Sequence, residues 1–309
     1  MRFLVTGGAG FAGSNFIERL LSHKEHQIRV LENGEFCHSD YFESILANPR
    51  IEVIEGDIRN AEIVAKSVKG VDVVLHMAAL IEVPFSIENP ATTHSINVNG
   101  TINILESCRR FDVKEIVYPS SNLTYGEPIY TPIDENHPQN PVSPYAASKC
   151  AAEKYCFAYN RTYGLPITVL RFSNLYGPRG LGVINIFVRN AIQGKPLEIH
   201  GGRQVRTFTH IFDAIEATQL CLESRTAIGE IFNIAGPEST SISEIANIVR
   251  EEIGNVELKR IETRVGDVTS SQYGISIEKA RNLLGYEPKY DIRKGVRQLV
   301  AFEKKNLDS

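Results

Sequence analysis

The stretch Tyr145-Ala-Ala-Ser-Lys149 sets a phenol and an ammonium four residues apart. Ser143 and Pro144 before it read as a helix N-cap and a first helical residue. On a helix, residues four apart share one face. A tyrosine is a poor base at its reference pKa of about 10. A neighbouring ammonium, a helix N-terminus and an oxidised nicotinamide ring would each favour the phenolate. Tyr145 could then take a proton from a hydroxyl while hydride leaves the same carbon. Surface helices also carry such pairs by chance, but this one directly follows a predicted strand. That strand ends Pro119-Ser120-Ser121-Asn122-Leu123-Thr124-Tyr125-Gly126. On local grounds Ser120, Ser121 and Thr124 are all candidates to share the proton with Tyr145.

A second set of residues suits a dinucleotide. Gly7, Gly10 and Gly13, with Phe11 and Ala12 between the last two, follow an apolar run and open a helical pattern. Such glycines allow a tight turn, close approach to a pyrophosphate and close packing of helix on sheet. The spacing is GxxGxxG rather than GxGxxG, and alone it is a weak signal. Glu32, with Asn33 after it, ends the next strand about twenty residues on, where an acid would hydrogen-bond an adenosine ribose. An acid there also repels a 2′-phosphate, so NAD is expected rather than NADP. Asp57-Ile58 follows the third strand, placed to hold the adenine amino group. His76-Met77-Ala78-Ala79-Leu80 closes the fourth with small residues where a cofactor could lie flat. His76 itself reads as a satisfied core histidine rather than a base. Four features, each at a strand end, together predict a bound dinucleotide.

The elements that must position these residues alternate. Strands are expected at Arg2–Thr6, 28–32, Ile51–Glu55, 71–76, 115–119 and 167–171. Helices are expected at 13–23, Ala61–Val68, 91–111 and Pro144–Tyr163. This is the pattern of βαβ units and a parallel, doubly wound α/β (Rossmann) sheet, with ligands at the carboxyl ends of the strands. After Arg171 the pattern loosens into a smaller mixed α/β C-terminal lobe with helices near 183–193, 210–222, 242–253 and 277–284. The expected division is 1–172 for the dinucleotide-binding domain and 173–309 for a substrate lobe, with some return of the chain to the first.

Composition narrows the class. The chain has 309 residues, 42% hydrophobic, enough for a sizeable core, and a net charge of −4. No basic stripe points to nucleic acid. No apolar run is long enough to span a bilayer, and the chain opens on a strand rather than a signal peptide. Five scattered cysteines without CxxC spacing predict neither a metal site nor disulfides, and fit a reduced cytoplasm. Cys156 reads as core packing.

With these residues in view, the chain resembles an extended short-chain dehydrogenase/reductase of the sugar-nucleotide epimerase/dehydratase family, and within it most the UDP-glucose 4-epimerases. The likeness runs nearly end to end through TGGAGFAGS, GDI, HMAA, NVNGT, SSNLTYG, SPYAASK, RFSNLYGPR, RTFTHIFD, FNIAG, RVGD and LGYEP. The resemblance implies tightly held NAD, Ser121 as the catalytic hydroxyl, Tyr145 as base and Lys149 as its electrostatic partner. It implies cofactor contacts from Gly7, Gly10, Phe11, Ala12, Gly13, Glu32, Asn33, Asp57, Ile58, Met77, Ala78, Ala79 and Leu80. It also implies substrate contacts from Asn174, Val183, His200, Arg206, Arg264 and Asp267. Dehydratases of the family carry Asp-Glu after the catalytic Ser or Thr, and decarboxylases usually keep the Glu. Here Asn122 and Leu123 stand there, and leucine transfers no proton. The expected reaction is therefore oxidation at C4 and return of hydride to the other face, a 4-epimerisation. Asn122, Leu123 and Ile96 depart from what is usual in the epimerases, so a uronate 4-epimerase, a 4-keto reductase or a decarboxylase stays open, as does a non-catalytic NAD-binding regulator. A small Ser271 and a short loop at 180–182 would leave room for a 2-acetamido sugar or a uronate. The family's habit of pairing two long helices implies a homodimer.

Overall fold

The computed structural model describes residues 1–34, 48–254, 256–262, 270 and 272–307. Arg264, Asp267 and Ser271 lie outside them. Seven strands form one parallel sheet in the order β10-β6-β5-β4-β1-β2-β3. They are β1 (Arg2–Thr6), β2 (Gln27–Glu32), β3 (Ile51–Glu55), β4 (Val73–His76), β5 (Glu115–Ser121), β6 (Ile167–Phe172) and β10 (Ile231–Ile234). Central strands read as near-continuous Val/Ile/Leu runs because both faces are covered. One face packs Phe16, Ile17 and Leu20 of the helix Phe11–Leu21 with Ile211, Ala214 and Ile215 of the helix Ile211–Glu223. The other packs Val64, Val68, Ile104, Leu105 and Cys156.

Strand β1 lies between β2 and β4, with Thr6 opposite both Leu31 and His76. The direction of winding reverses there, so a crevice opens beyond the end of β1. The glycine turn occupies its floor.

The remaining strands are short. Strands β7 (Asn174–Tyr176), β9 (Val205–His210) and β11 (Ser239–Ser241) make one sheet; β8 (Leu197–His200) and β12 (Leu258–Ile261) make another. Helices Val183–Ile192, Ile242–Ile253 and Ile292–Leu307 pack over them around Ile184, Phe187, Ile245, Val249, Val296 and Leu299.

One helix differs from expectation. The span 91–111 is not a single α-helix but Pro90–His94, a π-helical turn at Ser95–Asn99, and Gly100–Arg110. The extra residue of the π turn turns Asn97 inward, where its amide donates to Leu80 O at 2.9 Å and accepts from Leu80 N–H at 2.8 Å. Side-chain demand thus overrides regular helix geometry, as π turns at functional sites commonly show.

Candidate active site

The glycine turn is built for close approach. Gly7 has φ +66°, and a Cβ there would stand 2.8 Å from the Ala78 backbone. A Cβ on Gly13 would stand 2.2 Å from Gly7 O. Gly10 caps the helix Phe11–Leu21 without a side chain, and its first turn holds no acidic residue. By contrast Asn60, Ser143 and Ser241 cap their helices with side-chain oxygens. The N–H groups at this helix start are therefore left to an anion.

The Glu32 carboxylate accepts from Ala9 N–H at 2.9 Å and Asn33 N–H at 3.0 Å, tying the glycine turn to the end of β2. Asp57 pairs with Arg59, which with Asn33 holds its carboxyl below the usual range. Ile58 is buried against Gly100. His76 is bound between Thr6 Oγ1 at 2.8 Å and Thr101 Oγ1 at 3.0 Å. Burial, then the charge of Lys149, pushes its pKa down to about 3, so it is a neutral core histidine. Met77, Ala78 and Ala79 line the path from there to Leu80, whose backbone Asn97 grips.

At the tip of β5 the three hydroxyl candidates separate. Ser120 Oγ donates to Glu153 at 2.9 Å, inside the protein. Thr124 Oγ1 donates to Ser121 O at 2.8 Å. The Ser121 hydroxyl alone lies against the Tyr145 phenol. Burial raises the Tyr145 pKa, and Ser121 opposes that rise. Lys149, one turn on, is 4% exposed, and burial lowers its pKa to about 8. Among the described residues no hydrogen-bond acceptor reaches its ammonium. The buried cation, the uncapped helix start and the glycine-floored crevice together fit the diol and diphosphate of a dinucleotide.

Several residues that sequence reasoning missed hold this group in place. Ser86 Oγ accepts from Tyr145 N–H at 3.1 Å, and Ser148 Oγ accepts from Asn97 at 2.9 Å. Glu153 and Arg171 form a buried ion pair. Arg171 also donates to Tyr125 OH at 2.7 Å, which donates to Asn233 at 2.6 Å. Glu153 was open to detection, as an acid on the otherwise apolar face that Lys149 begins.

The residues expected on the substrate side are spread more widely. Asn174 Nδ2 donates to Thr207 O at 3.1 Å, bracing β7 on β9. Arg206 is buried, its guanidinium 5.9 Å from the Tyr273 ring centroid, and Tyr273 OH donates to Asn122 O at 3.0 Å. That chain of contacts links Arg206 to the tip of β5. Leu123 packs with Tyr125, Ile133 and Tyr273. Val183 opens its helix. His200 ends β8 and meets Glu262 O at 3.2 Å, within the smaller lobe. The short loop at 180–182 is pinned: Arg189 donates to Gly180 O, and Asn15 of the glycine helix donates to Pro178 O just before it. Among the described residues no cluster of His, Cys, Asp and Glu could hold a metal, and no helix is long and apolar enough to cross a membrane.

A doubly wound sheet with a dinucleotide crevice at its switch point, and Ser, Tyr and Lys at the next strand and helix, defines an extended short-chain dehydrogenase/reductase. Residues 3–235 match the model of the NAD dependent epimerase/dehydratase family, and the chain belongs to that family. A putative UDP-glucose 4-epimerase of Methanocaldococcus jannaschii is 39% identical over 98% of both chains. The UDP-glucose 4-epimerase of Thermotoga maritima, solved with UDP-glucose, superposes with a TM-score of 0.92 at 30% identity, covering 99% of this chain and 100% of that one. A dTDP-glucose 4,6-dehydratase of Streptomyces venezuelae, solved with NAD, gives 0.93 at 31% identity, covering 100% and 98%. The cofactor is NAD, and the chemistry is that of a nucleotide-sugar epimerase/dehydratase.

Proposed function

We propose that the protein interconverts the C4 epimers of a UDP-hexose, UDP-glucose and UDP-galactose first, through a 4-keto sugar. The observation that carries this reading is the pairing of Ser121 with Tyr145 beside two positions, Asn122 and Leu123, that hold no acid or base. NAD, which the glycine turn, Glu32 and Lys149 would hold, would supply a hydride acceptor and donor for C4. Tyr145 takes the proton of the 4-hydroxyl, with Ser121 bridging phenol and substrate oxygen. The nearby Lys149 ammonium offsets the cost of a buried phenolate. Arg206 offers the diphosphate a fork of donors. Elimination of water or carbon dioxide would need a further proton-transfer group, and Leu123 is committed to an apolar cluster.

The test is to incubate the purified protein, without added NAD, with a panel of UDP-hexoses and follow the sugar protons by NMR. A gluco-to-galacto conversion is expected. Release of carbon dioxide or loss of water would overturn the reading. Tyr145→Phe should lower kcat by about 10²- to 10⁴-fold, the usual contribution of acid–base catalysis, with NAD affinity kept. A regulator would show no turnover to lose.

A further inference from the structure

Lys149 reaches its place by a route its own helix does not explain. Its ammonium stands 4.5 Å from the centroid of the Tyr118 ring, which β5 presents three residues before Ser121. Tyr118 is 2% exposed and its hydroxyl, fully enclosed, makes no hydrogen bond. An orphaned buried hydroxyl is a cost. What Tyr118 contributes is thus its ring face, whose negative quadrupole attracts a cation most strongly when both are dry.

We propose that Tyr118 is a positioning residue: its ring is the seat that keeps the Lys149 ammonium charged and in place beside Tyr145. The other ionisable groups around Lys149 cannot do this alone. His76, across from it on β4, is neutral and repels a proton on Lys149 if it charges. Cys156 on the same helix is held as a thiol by burial. Glu153 favours the ammonium but is bound to Arg171, Ser120 and Gln139. Tyr145 itself is a neutral phenol before the reaction. Burial works against the charge, and the aromatic face is the contact that opposes it without using up a hydrogen bond.

The proposal rests on reading Lys149 as the partner of Tyr145, but its test reads Lys149 directly. The full chain, labelled with lysine ¹³Cε, is titrated by NMR, with the Lys149 signal assigned by its loss in Lys149→Met. Tyr118→Phe should titrate as the native protein does. Tyr118→Leu should deprotonate about one pH unit lower, the size expected for a desolvated cation–ring contact. The alkaline limb of the kcat profile should move with it. If Tyr118→Leu does not fold, pentafluorophenylalanine placed at 118 keeps the shape while reversing the quadrupole, and should lower the titration at least as far. An unchanged Lys149 titration in the ring-altered protein, or an equal shift in Tyr118→Phe, would overturn the seat. A Lys149 shift that leaves the kcat profile where it was would instead count against the catalytic reading alone.

Discussion

The crevice beyond β1 and the lobe built on β7–β9 and β11–β12 are built to offer contacts by different means. In the crevice the contacts come from backbone: glycines without Cβ atoms, an uncapped helix start, and Ala78 packed on Gly7. In the lobe the proposed contacts would come from single long side chains, Arg206 above all, held by short strands of three to six residues. A backbone site accepts few substitutions and serves one cofactor. A side-chain site can change its ligand with one replacement while the fold stays as it is.

The largest effect should come from forcing a side chain into the backbone site. Gly13→Ala puts a Cβ 2.2 Å from Gly7 O and 2.7 Å from Gly8 Cα, both backbone that cannot rotate aside. NAD binding should weaken by at least about 100-fold, and stability should fall by about 1–3 kcal/mol. Calorimetric titration and thermal melting check both. Affinity for UDP should survive; if it falls equally, the two regions are not separable.

Next comes the converse. Arg206→Met keeps the stem against Tyr273 and removes the charged fork. UDP affinity should drop by about 10- to 100-fold, corresponding to about 1.5–3 kcal/mol for a charge-assisted bond. NAD affinity should not move.

The smallest effect compares a buried histidine from each region. Burial holds His76 down to about 3 and His210 down to about 4, both below the unfolded value of 6.5. The unfolded chain therefore binds more protons below about pH 6.5, and stability is lost as pH falls. Each should cost about 2 kcal/mol at pH 5 relative to pH 7. Urea unfolding of His76→Gln should show an acid loss smaller than the native by about 2 kcal/mol. A variant with the full loss would mean His76 is not the neutral residue its two threonine partners suggest.

The same contrast decides what was legible in the sequence. The Gly7–Gly13 turn, Glu32, Tyr145 and Lys149 could be read because backbone geometry and helix spacing are local. The split of the serines could not: Ser120 turns to Glu153, which is distant in sequence and meets it only through packing. The π turn was also hidden, since it depends on Asn97 meeting Leu80. Ile292–Leu307 has apolar residues at 292, 296, 299 and 300, but Gly295 in its first turn masks it. That glycine is there for Tyr176, whose hydroxyl would stand 1.9 Å from a Cβ.

The π turn at Ser95–Asn99 also works as a phase shifter. It holds one residue more than an α-helical turn, so Pro90–His94 and Gly100–Arg110 are indexed about 100° apart from what a continuous helix would give. Both segments meet the helix that carries Tyr145, and Gly100–Arg110 also lies on Ala61–Val68. Deleting a single residue there would rotate one segment against the other and swing Asn97 off Leu80. In this stretch residue count matters more than residue identity, and a deletion should be worse than any substitution at the same position.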